Sequence, residues 1–127
     1  MKISIYGDRF MKSDIFEEVI SKKLNSYDLD FLKKDIEWPD GPFHNDYGKG
    51  NFSKVKEYFG TEEDVVSIVK DNEILITDLA PITEAIIEKL PNLKFIGVSR
   101  GGPVNIDIEA CKKNNITVVN APGRNAS

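Results

Sequence analysis

A glycine-rich segment near the carboxyl end of the chain has the composition of an anion-binding loop. Gly101 and Gly102 are adjacent, follow an apolar run and precede Asp107, a residue type that often begins a helix. Because glycine lacks a Cβ atom, the backbone N–H groups of such a loop can approach an anion closely. A small carboxylate fits this description. A tight turn from strand to helix would explain the same two residues equally well.

Other residues with reactive side chains lack the partners that catalysis would need. His44 is the only histidine and lies in a stretch rich in glycine and proline, so we expect a solvated loop residue. Cys111 is the only cysteine, which excludes an internal disulfide and a cysteine-rich zinc site. It lies within a predicted helix, where a small buried side chain is expected rather than a reactive thiol.

Three polar residues that follow predicted strands loosely resemble the acidic pocket of a phosphorelay receiver. They are Asp8, Asp78 and Ser99. A receiver also requires paired acids after its first strand and a lysine after its fifth. This chain has Asp8 without an acidic neighbour and Asn120 at the second position. The receiver therefore remains a minor alternative.

The segments that must position these loops alternate between strand and helix patterns. Strands are predicted over residues 2–6, 27–32, 73–77, 93–98 and 116–119. Helices are predicted to begin with Ser13, Thr61, Thr83 and Asp107 as N-caps, and Asn114-Asn115 is a plausible left-handed stop. In the first helix the spacing predicts a buried face of Phe16, Val19, Ile20 and Leu24. Residues 38–59 are predicted to form a long loop.

This alternation predicts an α/β fold with a parallel sheet and helices on both faces. Right-handed crossovers favour the flavodoxin-like order 2-1-3-4-5 for five strands. Ligands of such sheets bind beyond the carboxyl ends of the strands. The segments to consider are therefore residues 7–12, 78–83 and 99–105, and the chain after Asn120.

Length and charge restrict the class of protein. A chain of 127 residues is enough for one domain, and it contains no run of about 18 apolar residues. Its net charge of −4 combines a balance of −6 over residues 1–97 with +2 over residues 98–127. An acidic body argues against nonspecific nucleic-acid binding. We expect a cytoplasmic protein without nucleic-acid or membrane partners.

The carboxyl-terminal half resembles a known family. Over about residues 74–127 the chain is similar to the NAD-dependent D-isomer-specific 2-hydroxyacid dehydrogenases, which include D-3-phosphoglycerate dehydrogenase. The similarity lies in the segments Leu90–Gly97, Asn105–Ala110 and Ile116–Asn125 and in the glycine loop between the first two. It implies a flavodoxin-like domain that presents a small 2-hydroxy or 2-oxo acid.

The resemblance also implies which residues contact the substrate. The backbone amides of Gly101 and Gly102 correspond to those that hold the substrate carboxylate in the family, and Arg100 and Pro103 flank them. Two segments depart from the common pattern. Pro103-Val104-Asn105 lacks the usual Asp before Asn, and Asp78-Leu79-Ala80-Pro81 replaces an Arg-Ser pair found in many members. The identity of the acid is therefore left open.

The family's NAD site has no counterpart in this sequence. The motif G-x-G-x-x-G does not occur, and the family's catalytic Arg, Glu and His would fall beyond residue 127. We therefore expect residues 1–119 to form a substrate-binding domain and residues 120–127 a hinge toward a missing dinucleotide-binding domain. NAD would serve the parent protein, and this chain alone would be inactive. The alternative is a stand-alone binding or assembly module, and a homodimer is compatible with either.

Overall fold

A computed structural model describes residues 2–8, 12–35, 54–55, 58, 60–99 and 104–120. In chain order its elements are β1 (Lys2–Gly7), α1 (Ser13–Lys23), β2 (Asp30–Asp35), α2 (Glu62–Val69), β3 (Ile74–Thr77), α3 (Glu84–Glu88), β4 (Phe95–Val98), α4 (Ile108–Lys113) and β5 (Thr117–Asn120). The strands form one parallel sheet in the order β2-β1-β3-β4-β5. The predicted flavodoxin-like topology is confirmed.

The sheet has a separate hydrophobic cluster on each face, because successive side chains of a strand point to opposite sides. One face carries Tyr6, Leu75 and Ile96, which pack in a cluster with residues of α2, α3 and α4. The other carries Ile3 and Ile5, which pack with Phe16 of α1. The predicted helices on both faces are therefore present. Among the described residues, no helix has the length and hydrophobicity that a membrane span requires.

Three of the four predicted helix caps are confirmed by hydrogen bonds. Thr61 Oγ1 accepts from the backbone N–H of Asp64, and the Asp64 carboxylate accepts from the N–H of Thr61 at 2.8 Å, which completes a capping box. Thr83 and Asp107 accept from backbone N–H groups of α3 and α4. Asn115 has a φ of 58°, as expected of a left-handed stop after α4.

The fourth cap prediction is wrong. The N-cap of α1 is Lys12, which makes no side-chain cap hydrogen bond, and Ser13 is the first helical residue. The backbone N–H and the hydroxyl of Ser13 instead donate to the carboxylate of Asp35, at 2.7 and 2.9 Å. Asp35, at the end of β2, thus accepts the hydrogen bonds from the start of α1. The local spacing of residues could not indicate this contact.

The second strand begins three residues later than predicted. Tyr27 donates its backbone N–H to Leu24 at 3.0 Å in a turn after α1, and its side chain is 57% exposed. The strand instead extends through Lys33 and Lys34, which form ion pairs with Asp14 of α1 and Asp64 of α2. The run Lys33-Lys34-Asp35 breaks the alternation of polar and apolar residues that predicted the strand. Pairing with β1, rather than the pattern, therefore sets the position of β2.

Val19 was predicted to lie on the buried face of α1 but is 52% exposed. Lys33 of β2 contacts both Asp14 and Glu17, which turns that flank of the helix toward β2. By helical geometry Val19 then lies on the opposite flank, together with Ile15, and only Phe16 of the predicted face is fully buried.

Candidate functional site

Polar residues are buried where β1, β3 and β4 end. Asp8, Asp78 and Ser99 directly follow these strands and are between 2% and 9% exposed. Because the strands are parallel, all three residues lie at the carboxyl edge of the sheet, where parallel α/β proteins bind ligands. Burial of a polar group is costly unless it is hydrogen-bonded, so the contacts of these residues indicate what the edge is built to hold.

Asp78 and Ser99 are joined directly. The Ser99 hydroxyl donates to Asp78 Oδ1 at 2.9 Å, and the Ser99 backbone N–H donates to the Thr77 carbonyl oxygen at 3.0 Å. Thr77 Oγ1 in turn donates to the Tyr6 carbonyl oxygen and accepts from the N–H of Ala80, both at 3.0 Å. The residue that precedes the glycine loop is thus fixed to the end of β3.

Asn105 fixes the other end of the glycine loop to the same neighbour. Its side chain is fully buried and donates from Nδ2 to the carbonyl oxygens of Ala80, at 2.8 Å, and Asp78, at 3.3 Å. Its own carbonyl oxygen accepts from the N–H of Ile82 at 2.9 Å. Ile82 also pairs with Ile106 in an isolated parallel bridge. Asn105 Oδ1 is buried and has no hydrogen-bond partner among the described residues.

We call Asp78, Ser99 and Asn105 the strand-end cluster. The predicted site residues Arg100, Gly101, Gly102 and Pro103 lie between Ser99 and Asn105 and outside the described residues, as does His44. Sequence analysis missed Asn105 and the role of Asp78. No spacing pattern marks them, because the contacts of Asn105 join residues 25 and 27 positions apart.

The geometry of Asp78 disfavours the receiver alternative. A phosphoryl acceptor must be open to its donor, whereas Asp78 is 4% exposed and accepts a hydrogen bond from Ser99. At the fifth strand the position that a receiver fills with lysine is Asn120, the last residue of β5.

Within the described part of the chain, two hollows lie at opposite edges of the sheet. One, of about 220 Å³, lies beside Ser99 on the face that carries α1 and is lined mainly by apolar side chains, including Phe16, Phe95 and Val119. The other, of about 400 Å³, lies at the amino edge and is lined by Lys2, Asp71, Asn72, Glu73, Ile74 and Asn92. Only the first adjoins the strand-end cluster. Across the described residues, no group of three or more potential metal ligands is present.

Cys111 should react very slowly with thiol reagents in the folded chain. Its side chain is 1% exposed, and burial, with a smaller contribution from Asp107, raises the pKa of the thiol to about 12. Since the thiolate is the nucleophile, labelling by a disulfide reagent at pH 8 should be at least about 100-fold slower than in denaturant. Comparable rates in the two states would contradict the buried position of Cys111.

Comparison with known proteins gives a consistent result. A D-3-phosphoglycerate dehydrogenase of Methanocaldococcus jannaschii is 40% identical over 63 residues, covering 49% of this chain and 12% of that protein. A hydroxypyruvate reductase of Blautia hydrogenotrophica is 35% identical over 60 residues, covering 47% and 19%. The crystal structure of NAD+-bound 3-phosphoglycerate dehydrogenase from Entamoeba histolytica shares the fold. That alignment has a TM-score of 0.66 and 24% identity, and covers 97% of this chain and 33% of the other.

The region of similarity covers a part of the length of each relative. It spans 20% or less of the length of the curated relatives and about a third of the solved structures. Within this chain the similarity is extensive, because residues 18–127 match the catalytic domain of a single family. The chain therefore belongs to the D-isomer specific 2-hydroxyacid dehydrogenases.

Proposed function

We propose that this chain is the substrate-binding part of an oxidoreductase that transfers hydride between NAD and a D-2-hydroxy acid or the corresponding 2-oxo acid. The observation that carries the proposal is the match of residues 18–127 to the family's catalytic domain, which includes the whole glycine loop. The strand-end cluster supports it, because that cluster holds both ends of this loop at the ligand-binding edge of the sheet.

In this proposal the backbone amides of Gly101 and Gly102 bind the substrate carboxylate. Arg100 contributes a positive charge beside them, and Pro103 restricts the backbone where the loop ends. Hydrogen bonds from fixed N–H groups to a carboxylate are charge-assisted and are about twice as strong as those between neutral groups. The loop would therefore orient the acid while leaving its second carbon open to a hydride donor.

The residues of this chain do not fit the cofactor. A dinucleotide needs a Gly-rich strand-to-helix turn, and no G-x-G-x-x-G segment occurs in the 127 residues. We therefore assign no NAD contact and no hydride or proton step to this chain. We propose residues 1–119 as the substrate domain and residues 120–127 as a hinge toward a cofactor domain in a cytoplasmic parent protein.

Titration of the 15N-labelled chain with pyruvate tests the carboxylate site. Saturable shifts of the Gly101 and Gly102 amide signals are expected, with a dissociation constant on the order of millimolar because the proposed loop contacts only the carboxylate of a small ligand. Pyruvamide, which has no carboxylate, is the matched control and should leave these signals in place. The proposal fails if pyruvate moves neither signal, or if both compounds act alike.

A stand-alone binding or assembly module is the second candidate. It is favoured by three exposed apolar residues, Ile15, Val19 and Val119, of which Val119 lines the hollow together with Phe16 and Phe95. An NADH oxidation assay with several 2-oxo acids should show no activity for the chain alone under either candidate. Activity would refute both. A concentration-dependent dimer in sedimentation is compatible with both candidates, whereas saturable shifts of the Gly101 and Gly102 amide signals with pyruvate would favour the substrate domain.

A further inference from the structure

We infer that Asp78 is a positioning residue, which fixes the carboxylate-binding loop by holding both of its ends. The inference rests on the proposed function for the role of the loop. It goes beyond that function because it assigns a task to a residue that neither binds the substrate nor belongs to the glycine loop. The contacts that carry it are all between described residues.

Two hydrogen bonds of Ser99 hold the start of the loop. Ser99 is the last described residue before the loop, and its hydroxyl and backbone N–H bind Asp78 Oδ1 and the Thr77 carbonyl oxygen, at 2.9 and 3.0 Å. Two bonds from one residue to two consecutive partners restrict both the position of Ser99 and its rotation. The direction in which the chain leaves β4 is therefore set by the end of β3.

Two hydrogen bonds of Asn105 hold the end of the loop. Asn105 Nδ2 donates to the carbonyl oxygens of Asp78 and Ala80, so the backbone of Asp78 holds this end while its side chain holds the other. The two described residues that flank the loop, Ser99 and Asn105, are thereby both attached to one short connection. Fixing both ends reduces the conformational entropy that the loop would lose on binding a ligand.

Two buried serines distinguish a positioning role from a purely stabilising one. The Ser99 hydroxyl donates to Asp78, whereas the Ser4 hydroxyl donates to the Ile68 carbonyl oxygen at 2.8 Å and accepts from Asn72 Nδ2 at 2.9 Å. Ser4 lies in β1 and is remote from the glycine loop in sequence. Ser99→Ala and Ser4→Ala therefore remove the same group from two buried sites, of which only one adjoins the loop. A structural role predicts equal effects on the loop, and a positioning role does not.

The test compares hydrogen exchange and 15N order parameters of the Gly101 and Gly102 amides in the ligand-free chain. Ser99→Ala should speed exchange of these amides about five-fold and lower their order parameters, as expected for one lost hydrogen bond. Ser4→Ala should leave both within about two-fold, although it removes two hydrogen bonds and should cost at least as much overall stability. Ser99→Thr retains the hydroxyl, and its extra methyl group adjoins the hollow lined by Ser99, so it should restore wild-type values. Asp78→Ala should act like Ser99→Ala.

Pyruvate titration of the same variants links the loop to binding. Ser99→Ala should weaken pyruvate about five-fold, whereas Ser4→Ala should not. Two results would overturn the inference. One is equal hydrogen exchange of the loop amides in Ser99→Ala and Ser4→Ala, and the other is unprotected Gly101 and Gly102 amides in the unchanged chain. If exchange responds as expected but pyruvate does not bind, the carboxylate proposal fails and the positioning of the loop by Asp78 stands. If pyruvate binds but exchange does not respond, only the inference fails.

Discussion

Replacing Gly60 by alanine should lower the free energy of unfolding by about 3–4 kcal/mol. Gly60 has a φ of 105°, a conformation that residues with a side chain rarely adopt. A Cβ atom at this position would overlap the hydroxyl oxygen of Tyr6 and lie 3.3 Å from Asp64 Oδ2. Tyr6 is fully buried in the larger hydrophobic cluster, so its ring cannot move aside without disturbing the core.

A double-mutant cycle separates the two causes of this loss. In a Tyr6→Phe background the hydroxyl is gone, so Gly60→Ala should cost about 2–3 kcal/mol, from backbone strain and from the added Cβ, which lies 3.0 Å from the ring Cζ. Gly97→Ala is the matched control, because its φ is ordinary and its added Cβ meets Ile76 Cδ1 at 2.8 Å, a side-chain end beside the apolar hollow. Urea unfolding measures all four variants. Equal costs for Gly60→Ala in both backgrounds would show that the hydroxyl does not restrict this site.

Asn105→Asp should lower the free energy of unfolding by about 3–4 kcal/mol at neutral pH. The substitution replaces the Nδ2 group, which donates to the Asp78 and Ala80 carbonyl oxygens, by an acceptor that faces the same two oxygens. The new carboxylate would be fully buried, as Asn105 is. Asn105→Ala loses the same hydrogen bonds without adding charge, and should cost about 2 kcal/mol.

The loss from Asn105→Asp should depend on pH. Burial without a donor raises the pKa of an introduced carboxyl above its unfolded value of about 4. Below the unfolded value the group is neutral in both states, so the loss relative to the unchanged chain is smallest there. The loss of stability grows as pH rises from the pKa of this carboxyl in the unfolded chain to its pKa in the folded chain.

Asn114→Asp provides the control for this pH dependence. Asn114 is exposed at the end of α4, and its Nδ2 donates to the Ala110 carbonyl oxygen at 2.8 Å. The same substitution there removes a comparable hydrogen bond from a solvated site, so it should cost about 1–2 kcal/mol and change little between pH 4 and pH 7. Urea unfolding of the variants and the unchanged chain at pH 4 and pH 7 makes the comparison. A loss from Asn105→Asp that is the same at both pH values would contradict the buried position of this side chain.

The parts of the fold that were predictable rest on contacts between near neighbours in sequence. Thr61, Thr83 and Asp107 cap helices through N–H groups three residues away. Short apolar strands such as β3 and β4 also have a local signal, because a strand buried between two helical layers must be apolar. Edge strand β2 has a weaker signal, since alternating polar residues fit more than one position along the chain.

The position of the candidate site was also predictable, but its construction was not. A glycine pair after a buried strand places the loop at the ligand-binding edge for any parallel sheet. Asp78 can contact Ser99 because β3 and β4 are neighbours in the sheet and because their register places Thr77 opposite Val98. The buried Asn105 resembles any polar loop residue in the sequence, because its partners belong to another connection.

By itself the sequence determined the alternation of elements, the strand order, three helix caps and the family resemblance. Only the tertiary structure decided that Asp35 would satisfy the start of α1, that Val19 would be exposed, and that Asp78 would hold Ser99 and Asn105. The physical reason is separation along the chain. Periodicity and capping act within one or two helical turns, whereas these hydrogen bonds join residues 21 to 27 positions apart that meet only after the crossovers have packed.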